Sequence, residues 1–396
     1  MKLFTAETEV KTQKKVVLDD MILTKDLPTC AGSKMLDGYM SLFDAQVVTK
    51  LSEAQIGICG KANVGEFAID LLGETSYYGA CTNDGKLVSA SAEIVKTGKA
   101  DAAIVLDVNG APRRAAAQSD LVYIKPTYGT VSRYGTIPAA CSGETVGVIS
   151  TTANQCKEIL GIIAGHDDKD GTSHADTVCQ KIKTSSEKIT KIALISAFNV
   201  DSDTAAKIDN FKTVIEKSGV SCHTVEGEKL LCARVAWNIL MSAELCNNVS
   251  RYDGIKYGHR ASEYTTIGEL YTNSRTEAFG DLLKTAILYG SDTLSTENYM
   301  KVYDKALRIR RVVAEYFDEL FKEYDAVLLP GCSKSFYTEK DIETNKYISF
   351  EENACTAPAS ITGLPAVVAG GVQIVGKAFS DAGLLDLAEI YEKGGK

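Results

Sequence analysis

The sequence lacks the features of a secreted or membrane protein. Residues 1–9 contain no apolar signal core, and no apolar run approaches the roughly 20 residues that a membrane span requires. The 11 cysteines are too sparse for a disulfide scaffold, and none are spaced as Cys-x-x-Cys pairs. These absences predict a cytoplasmic protein that has reduced thiols and does not insert into membranes.

Residues that would hold a metal, a nucleotide or a nucleic acid are also scarce. The four histidines share no i, i+4 spacing, which argues against zinc, and there is no Gly-x-Gly-x-x-Gly, Walker or Gly-x-Ser-x-Gly motif. The net charge of -9 argues against direct contact with nucleic acid, because phosphate groups are normally met by a basic patch. We therefore predict no metal, no cofactor and no direct nucleic-acid binding.

Short apolar runs that alternate with helix-period segments indicate an α/β fold. The runs that read as buried strands begin at Val16 and recur at residues 56–59, 102–106, 121–124, 191–196 and 326–329, and the clearest helix spans about 298–323. This alternation predicts a large mixed sheet covered by helices on both faces. Residues 1–15 are polar and read as a short tail, and residues 16–396 read as one domain.

Several segments stand in a fixed order from about residue 16 to the C-terminus: AGSKMLDGY (31–39), GKANVGEF (60–67), IKPTYGTVSRYG (124–135), IAGHDDKDGTS (163–173), RYDGIKYG (251–258), RTEAFGD (275–281) and GVQIVG (371–376). Together they resemble the amidase-signature family, and in particular the A subunit of the tRNA-dependent amidotransferases. The resemblance implies the amidase-signature fold, with an N-terminus shorter than is usual in the family.

The resemblance also implies a Lys-Ser-Ser site, in which a serine attacks an amide carbonyl and a second serine relays the proton to a neutral lysine. The lysine of the family's Gly-Lys-x-Asn motif is here Lys61. Counting back from Lys125 places the nucleophile position at Ala111, and anchoring the relay loop on Gly98 places the relay position at Leu87. A two-residue slip would bring Ser89 to the relay position instead. A methyl group cannot attack a carbonyl, so the resemblance predicts a site that has lost its chemistry.

The loop and the pocket that surround these positions also depart from the family pattern. The oxyanion loop reads Asp107, Val108, Asn109, Gly110, with Asn109 in place of a glycine, and it is followed by Pro112, which has no backbone donor. Asn353 stands where the family has an acid that would pair with the ammonium group of glutamine. The predicted substrate pocket therefore fits glutamine poorly.

Three interpretations follow, and the sequence leaves them open. The first is an inactive homologue, a binding or scaffold protein that assembles with proteins like the B and C amidotransferase subunits. In that case Lys61 is a remnant, with Asp107 as a possible new partner. The second is an enzyme with a rebuilt nucleophile, such as Cys81, Cys141, Ser89 or Ser91. The third is a sensor of a small amide or amino acid. Arg113 and Arg114 could hold an anion, although surface or ion-pair roles fit them better.

Overall fold

A large mixed sheet forms the centre of the chain, as given by a computed structural model that describes residues 2–184 and 188–395. Within these residues, eleven strands join in the order β1-β3-β2-β6-β8-β7-β12-β13-β11-β9-β10, and β4 and β5 form a separate hairpin. The strands are β1 Phe4–Glu7, β2 Lys15–Asp19, β3 Gly57–Ala62, β4 Thr82–Asn83, β5 Lys86–Leu87, β6 Ala102–Asp107, β7 Val122–Lys125, β8 Thr145–Ser150, β9 Lys191–Ile195, β10 Ser221–Val225, β11 Ala326–Pro330, β12 Ala366–Ala369 and β13 Val372–Gly376.

Parallel pairing at one side of the sheet places the ends of β2, β3 and β6 together. β2 pairs in parallel with both β3 and β6, and β6 then pairs antiparallel with β8. The polar residues that follow these three strands therefore meet at one edge, although they are far apart in the sequence. This edge is the candidate functional site.

Helices cover both faces of the sheet, and each face has its own apolar core. Side chains alternate along a strand, so Leu18 and Ile104 belong to the larger core, whereas Val17 and Val105 belong to the smaller one. The helices are α1 Gln46–Glu53, α2 Ala90–Lys96, α3 Ala111–Ser119, α4 Ala153–Ile163, α5 Asp176–Cys179, α6 Ser202–Lys217, α7 Cys232–Asn248, α8 Ile267–Ala278, α9 Asp281–Thr293, α10 Asp304–Leu320, α11 Glu339–Thr344, α12 Ser349–Glu352, α13 Ala357–Thr362 and α14 Asp381–Gly394. Along the described ranges, no helix has the length and apolar character needed to cross a membrane.

The α/β prediction is confirmed, and a strand lies at each of the six apolar runs. The predicted long helix corresponds to α10, which follows a π-helical turn at Tyr299–Tyr303. The description of residues 1–15 as only a polar tail was wrong for residues 4–7, which form edge strand β1 against β3. Polar sequence can form this strand, because its side chains are only partly buried or are exposed. Strands β4, β5, β8, β10, β12 and β13 were not predicted from the sequence.

Candidate functional site

The loop that joins β6 to α3 carries the predicted nucleophile position. Gly110 has φ +82°, which lets the chain turn sharply into α3 at Ala111, and Pro112 lies in the first turn, where a backbone donor is not needed. The Gly110 N–H donates to Asp107 Oδ1 at 3.0 Å. Neither Gly110 nor Pro112 therefore offers a free N–H to an oxyanion, and Val108 is buried in the larger core.

A small cavity lies beside Ala111. Its volume is about 20 Å³, and a void of roughly 10–15 Å³ already holds one water molecule. An amide substrate with a side chain the size of glutamine does not fit in this conformation. The polar or titratable side chains among the residues that line it are Asp19, Asn63, Asp70, Ser89 and Ser91.

Asp19 supplies a carboxyl group to this cavity, which the sequence analysis did not foresee. Its Oδ1 accepts from Ser91 Oγ at 2.5 Å, and its Oδ2 accepts from the Leu106 N–H at 3.2 Å. Burial raises the pKa of Asp19 to about 7, although both hydrogen bonds oppose the rise. One sequence signal could have found it, because Asp19 directly follows the buried run of β2.

Lys61 does not line the cavity at Ala111. It pairs with Leu18 of β2, and side chains of directly paired residues emerge on the same face of a sheet, here the face of the larger core. Its ammonium donates to Ile22 O and, at 2.8 Å, to Thr29 Oγ1. Burial lowers the pKa of Lys61 to about 8, and the nearby Asp20 opposes the change. The predicted grouping of Lys61 with Leu87 and Ala111 is therefore corrected by the pairing of β3.

A hydroxyl group does lie beside the Lys61 amine, namely that of Thr29, but it has no access to a substrate. Both side chains are fully buried. A carbonyl carbon would have to enter the buried interior to reach Thr29 Oγ1. The contact is a buried hydrogen bond that satisfies a lysine, as burial of an ammonium group requires.

Ser89 and Ser91, rather than Leu87, bring hydroxyl groups to the cavity. Leu87 lies in the β4–β5 hairpin, whose turn contains Asp84 and Gly85 in left-handed conformations, and it packs into the smaller core. Ser89 precedes the first turn of α2, and Ser91 lies within that turn. The shifted alternative for the relay position therefore describes the geometry better than Leu87 does.

The two cysteines considered as replacement nucleophiles are both held in their protonated forms. Burial raises the pKa of the Cys81 thiol, and burial together with Glu144 raises the pKa of Cys141 to about 11. Neither is among the residues that line the cavity at Ala111. Because the thiolate is the nucleophilic form, these surroundings do not activate either cysteine.

The two arginines of α3 are structural. The Arg113 guanidinium forms a two-point ion pair with Asp107, at 2.8 and 3.0 Å, and also donates to Gln373 Oε1 and Ser360 Oγ. Burial alone would raise the pKa of Asp107, but Arg113 holds it below its usual range. Asp107 is thus the partner of Arg113 and not of Lys61.

The Arg114 guanidinium is also fully engaged, in this case by backbone carbonyl groups. It donates to the carbonyl oxygens of Asp70, Leu71 and Asn109, and it is fully buried. These bonds fix α3 to the loop that precedes it, through Asn109, and to the separate loop that contains Asp70 and Leu71. Neither arginine is therefore free to hold an anionic ligand.

A buried amide network occupies the space around Asn353. Asn353 Nδ2 donates at 2.7 Å to Asn109 Oδ1 and at 2.7 Å to Asn238 Oδ1. Asn109 Nδ2 in turn donates to Ile69 O at 3.0 Å, which fixes the orientation of its amide. Both partners present oxygen atoms to residue 353, so the network accepts an amide donor there and disfavours a carboxylate.

We expect Asn353→Asp to lower the free energy of unfolding at neutral pH by about 2–4 kcal/mol, because a buried carboxylate would face two carbonyl oxygens. Urea denaturation measures the change, and acid should reduce it, because the protonated acid can donate one hydrogen bond. Asn210→Asp, at an exposed position of α6, is the matched control and should change stability by no more than about 0.5 kcal/mol. Equal effects of the two substitutions would contradict the network.

Comparisons with known proteins agree with this architecture. A family model described as Amidase matches residues 16–385. The A subunit of glutamyl-tRNA(Gln) amidotransferase from Coxiella burnetii is 32% identical, over 99% of this chain and 86% of the relative. The protein of the same name from Latilactobacillus sakei is 34% identical, over 95% and 81%. The crystal structure of the Thermotoga maritima protein of that name superposes with a TM-score of 0.81 at 26% identity, over 99% of this chain and 87% of that chain.

Proposed function

Since this chain belongs to the amidase family, we propose that it is a member that does not hydrolyse amides and that acts as a binding or scaffold subunit. The observation that carries the proposal is the methyl group of Ala111, which borders a cavity of about 20 Å³. Nucleophilic amide hydrolysis requires an attacking atom and room for the carbonyl that it attacks. Ala111 supplies no such atom, and the cavity has no such room.

The surrounding groups support the same proposal. A neutral amine beside the attacking hydroxyl would have to accept its proton, but the Lys61 amine is bound to Ile22 O and Thr29 Oγ1 in the core. The cavity instead holds the Asp19 carboxyl group, already bound to Ser91. The Gly110 N–H, which could face an oxyanion, is engaged by Asp107.

The names of the relatives suggest the setting in which such a protein acts. The curated relatives are named as the A subunit of an amidotransferase, so we propose that this chain assembles with proteins like the B and C subunits, in the cytoplasm. We propose that any contact with tRNA is made by such a partner, because the net charge of this chain is -9 and phosphate groups are normally met by basic residues. Capture of the native chain under mild conditions, with identification of the copurifying proteins, tests the assembly.

We expect the purified chain to release no ammonia from glutamine above the rate of its heat-denatured form. Loss of an activated serine lowers kcat about 10⁶-fold in serine hydrolases. Ala111→Ser should also stay inactive, because neither the cavity nor the proton acceptor returns with the hydroxyl. A coupled glutamate dehydrogenase assay measures both, with a homologue that retains its serines as the positive control. Glutamine turnover by the unmodified chain would overturn the proposal.

One observation favours an active rival, and the same preparation tests it. Ser91 Oγ donates to a carboxyl group whose pKa is about 7, and Ser89 lies in the same cavity. A fluorophosphonate probe would label either serine if it were activated for attack, and Ser89→Ala or Ser91→Ala would then remove the label. We expect no labelling, because Ser91 is buried and because no described residue forms a hydrogen bond with the Ser89 hydroxyl and could accept its proton. Stoichiometric labelling of either serine would favour the rival.

A further inference from the structure

A groove on the outer surface of the helical layer has the composition of a small-molecule site. It lies between α7, α9 and the chain that enters α12, and its volume is about 370 Å³. Three aromatic rings line it, together with one cation and one amide, and this combination is typical of ligand pockets. The side chains that carry the argument are Arg234, Asn238, Tyr289, Tyr347 and Phe350.

Arg234 is the feature that points to a ligand. The guanidinium of Arg113 is matched by Asp107, but Arg234 has no hydrogen bond or ion pair with any residue from 2–184 or 188–395. It lies at the rim of an aromatic groove and is only partly exposed. A guanidinium group is planar and pairs in two-point fashion with a carboxylate, so it selects that group over a neutral one.

The size of the groove indicates what kind of ligand it takes. Pockets of about 300–1,000 Å³ hold single small molecules. The groove of about 370 Å³ is at the small end of that range. Tyr289 and Tyr347 are exposed at its edges and can stack on a flat ligand.

We propose that this groove binds a small molecule that has an aromatic or flat apolar body and one carboxylate group. The carboxylate pairs with Arg234, and the body lies among Tyr289, Tyr347 and Phe350. The Asn238 side chain already donates to Phe350 O and accepts from Asn353, so it is held rigid at the base of the groove. The proposal goes beyond a scaffold role and shares no residue with the cavity at Ala111, so it holds whether or not the chain hydrolyses amides.

Isothermal titration with 3-phenylpropanoate, and with 3-phenylpropanamide as the uncharged analogue of the same shape, tests this site. The carboxylate should bind, and the amide should bind at least about tenfold more weakly, since a charge-assisted pair is lost. Arg234→Gln should weaken carboxylate binding by about tenfold or more and leave amide binding unchanged. Tyr289→Ala should weaken both probes, because the stacking surface is shared.

Arg311→Gln is the matched control, because Arg311 is an exposed arginine on α10 whose partner Glu315 is also exposed. It should bind both probes as the unmodified chain does. Absence of saturable carboxylate binding, or equal binding of the two probes, would overturn the proposal. Equal losses in the Arg234 and Arg311 variants would also overturn it, since they would indicate attraction by charge in general. Glutamine turnover does not bear on any of these outcomes, so the two proposals fail independently.

Discussion

Asp107→Ala is expected to lower the free energy of unfolding by about 3–5 kcal/mol, because it leaves the Arg113 guanidinium buried without its counterion. Both side chains are fully buried, and the two-point pair has distances of 2.8 and 3.0 Å. The substitution also removes the acceptor of the Gly110 N–H and of the Tyr123 hydroxyl at 3.0 Å. Since the free energy of unfolding of a native protein is only about 5–15 kcal/mol, this substitution would remove much of the stability.

Two further variants separate the buried charge from simple loss of contacts. Glu315→Ala removes the partner of Arg311 at a similar distance of 2.7 Å, but on the surface of α10. It should change stability by less than about 1 kcal/mol, because water screens exposed pairs. Asp107→Ala combined with Arg113→Met should be less damaging than Asp107→Ala alone, because no unpaired charge remains. Urea unfolding measures all three, and equal losses for Asp107→Ala and Glu315→Ala would contradict a structural role for the pair.

The second large effect concerns Asp19 and is expected to depend on pH. Burial raises its pKa from 3.8 to about 7. Because the folded-state pKa is the higher one, the stability linked to this group is fully present below about pH 4 and is lost as the pH rises to about 7. Asn at this position cannot ionise, so we expect Asp19→Asn to be more stable than the unmodified chain at pH 8, by up to about 4 kcal/mol. At pH 4 the two should be similar.

Urea unfolding at intervals between pH 4 and pH 8 measures this difference. The free energy of unfolding of Asp19→Asn should depend less on pH than that of the unmodified chain, by the contribution of about one proton. Some pH dependence should remain, because burial also raises the pKa values of Glu66 and Asp70 to about 7. Asp318→Asn, at an exposed position of α10, is the matched control and should follow the slope of the unmodified chain. If Asp19→Asn is instead less stable than the unmodified chain at pH 8, folding does not raise the pKa of Asp19, and its carboxylate makes a favourable contact in the folded state.

The strands that could be predicted are those with the most continuous apolar sequence. β2, β6 and β11 are buried on both faces, so their apolar runs stand out from the polar sequence around them. β8 and β13 are buried as well, but Gly147 and Gln373 interrupt their apolar runs. β12 has only four residues, and β10 is an edge strand with largely exposed side chains, so neither has a periodic signal of its own. Pairing with a neighbour, and not local preference, makes each of them a strand.

The candidate site also has features that the sequence predicts and features that depend on the fold. The family follows from the amino-acid sequence alone, through short segments in a fixed order along the chain, and so does the methyl group at residue 111, since no fold can add an attacking atom to alanine. The groups that surround this methyl depend on how the chain folds. The cavity brings together Asp19 of β2, Ser91 of α2 and Ala111 of α3, and the parallel pairing of β2 with β6 contributes to this arrangement. The register of β3 against β2 directs the Lys61 side chain into the core instead. Side-chain direction alternates with every residue of a strand, so the register of pairing, which one sequence does not reveal, decides which residues meet.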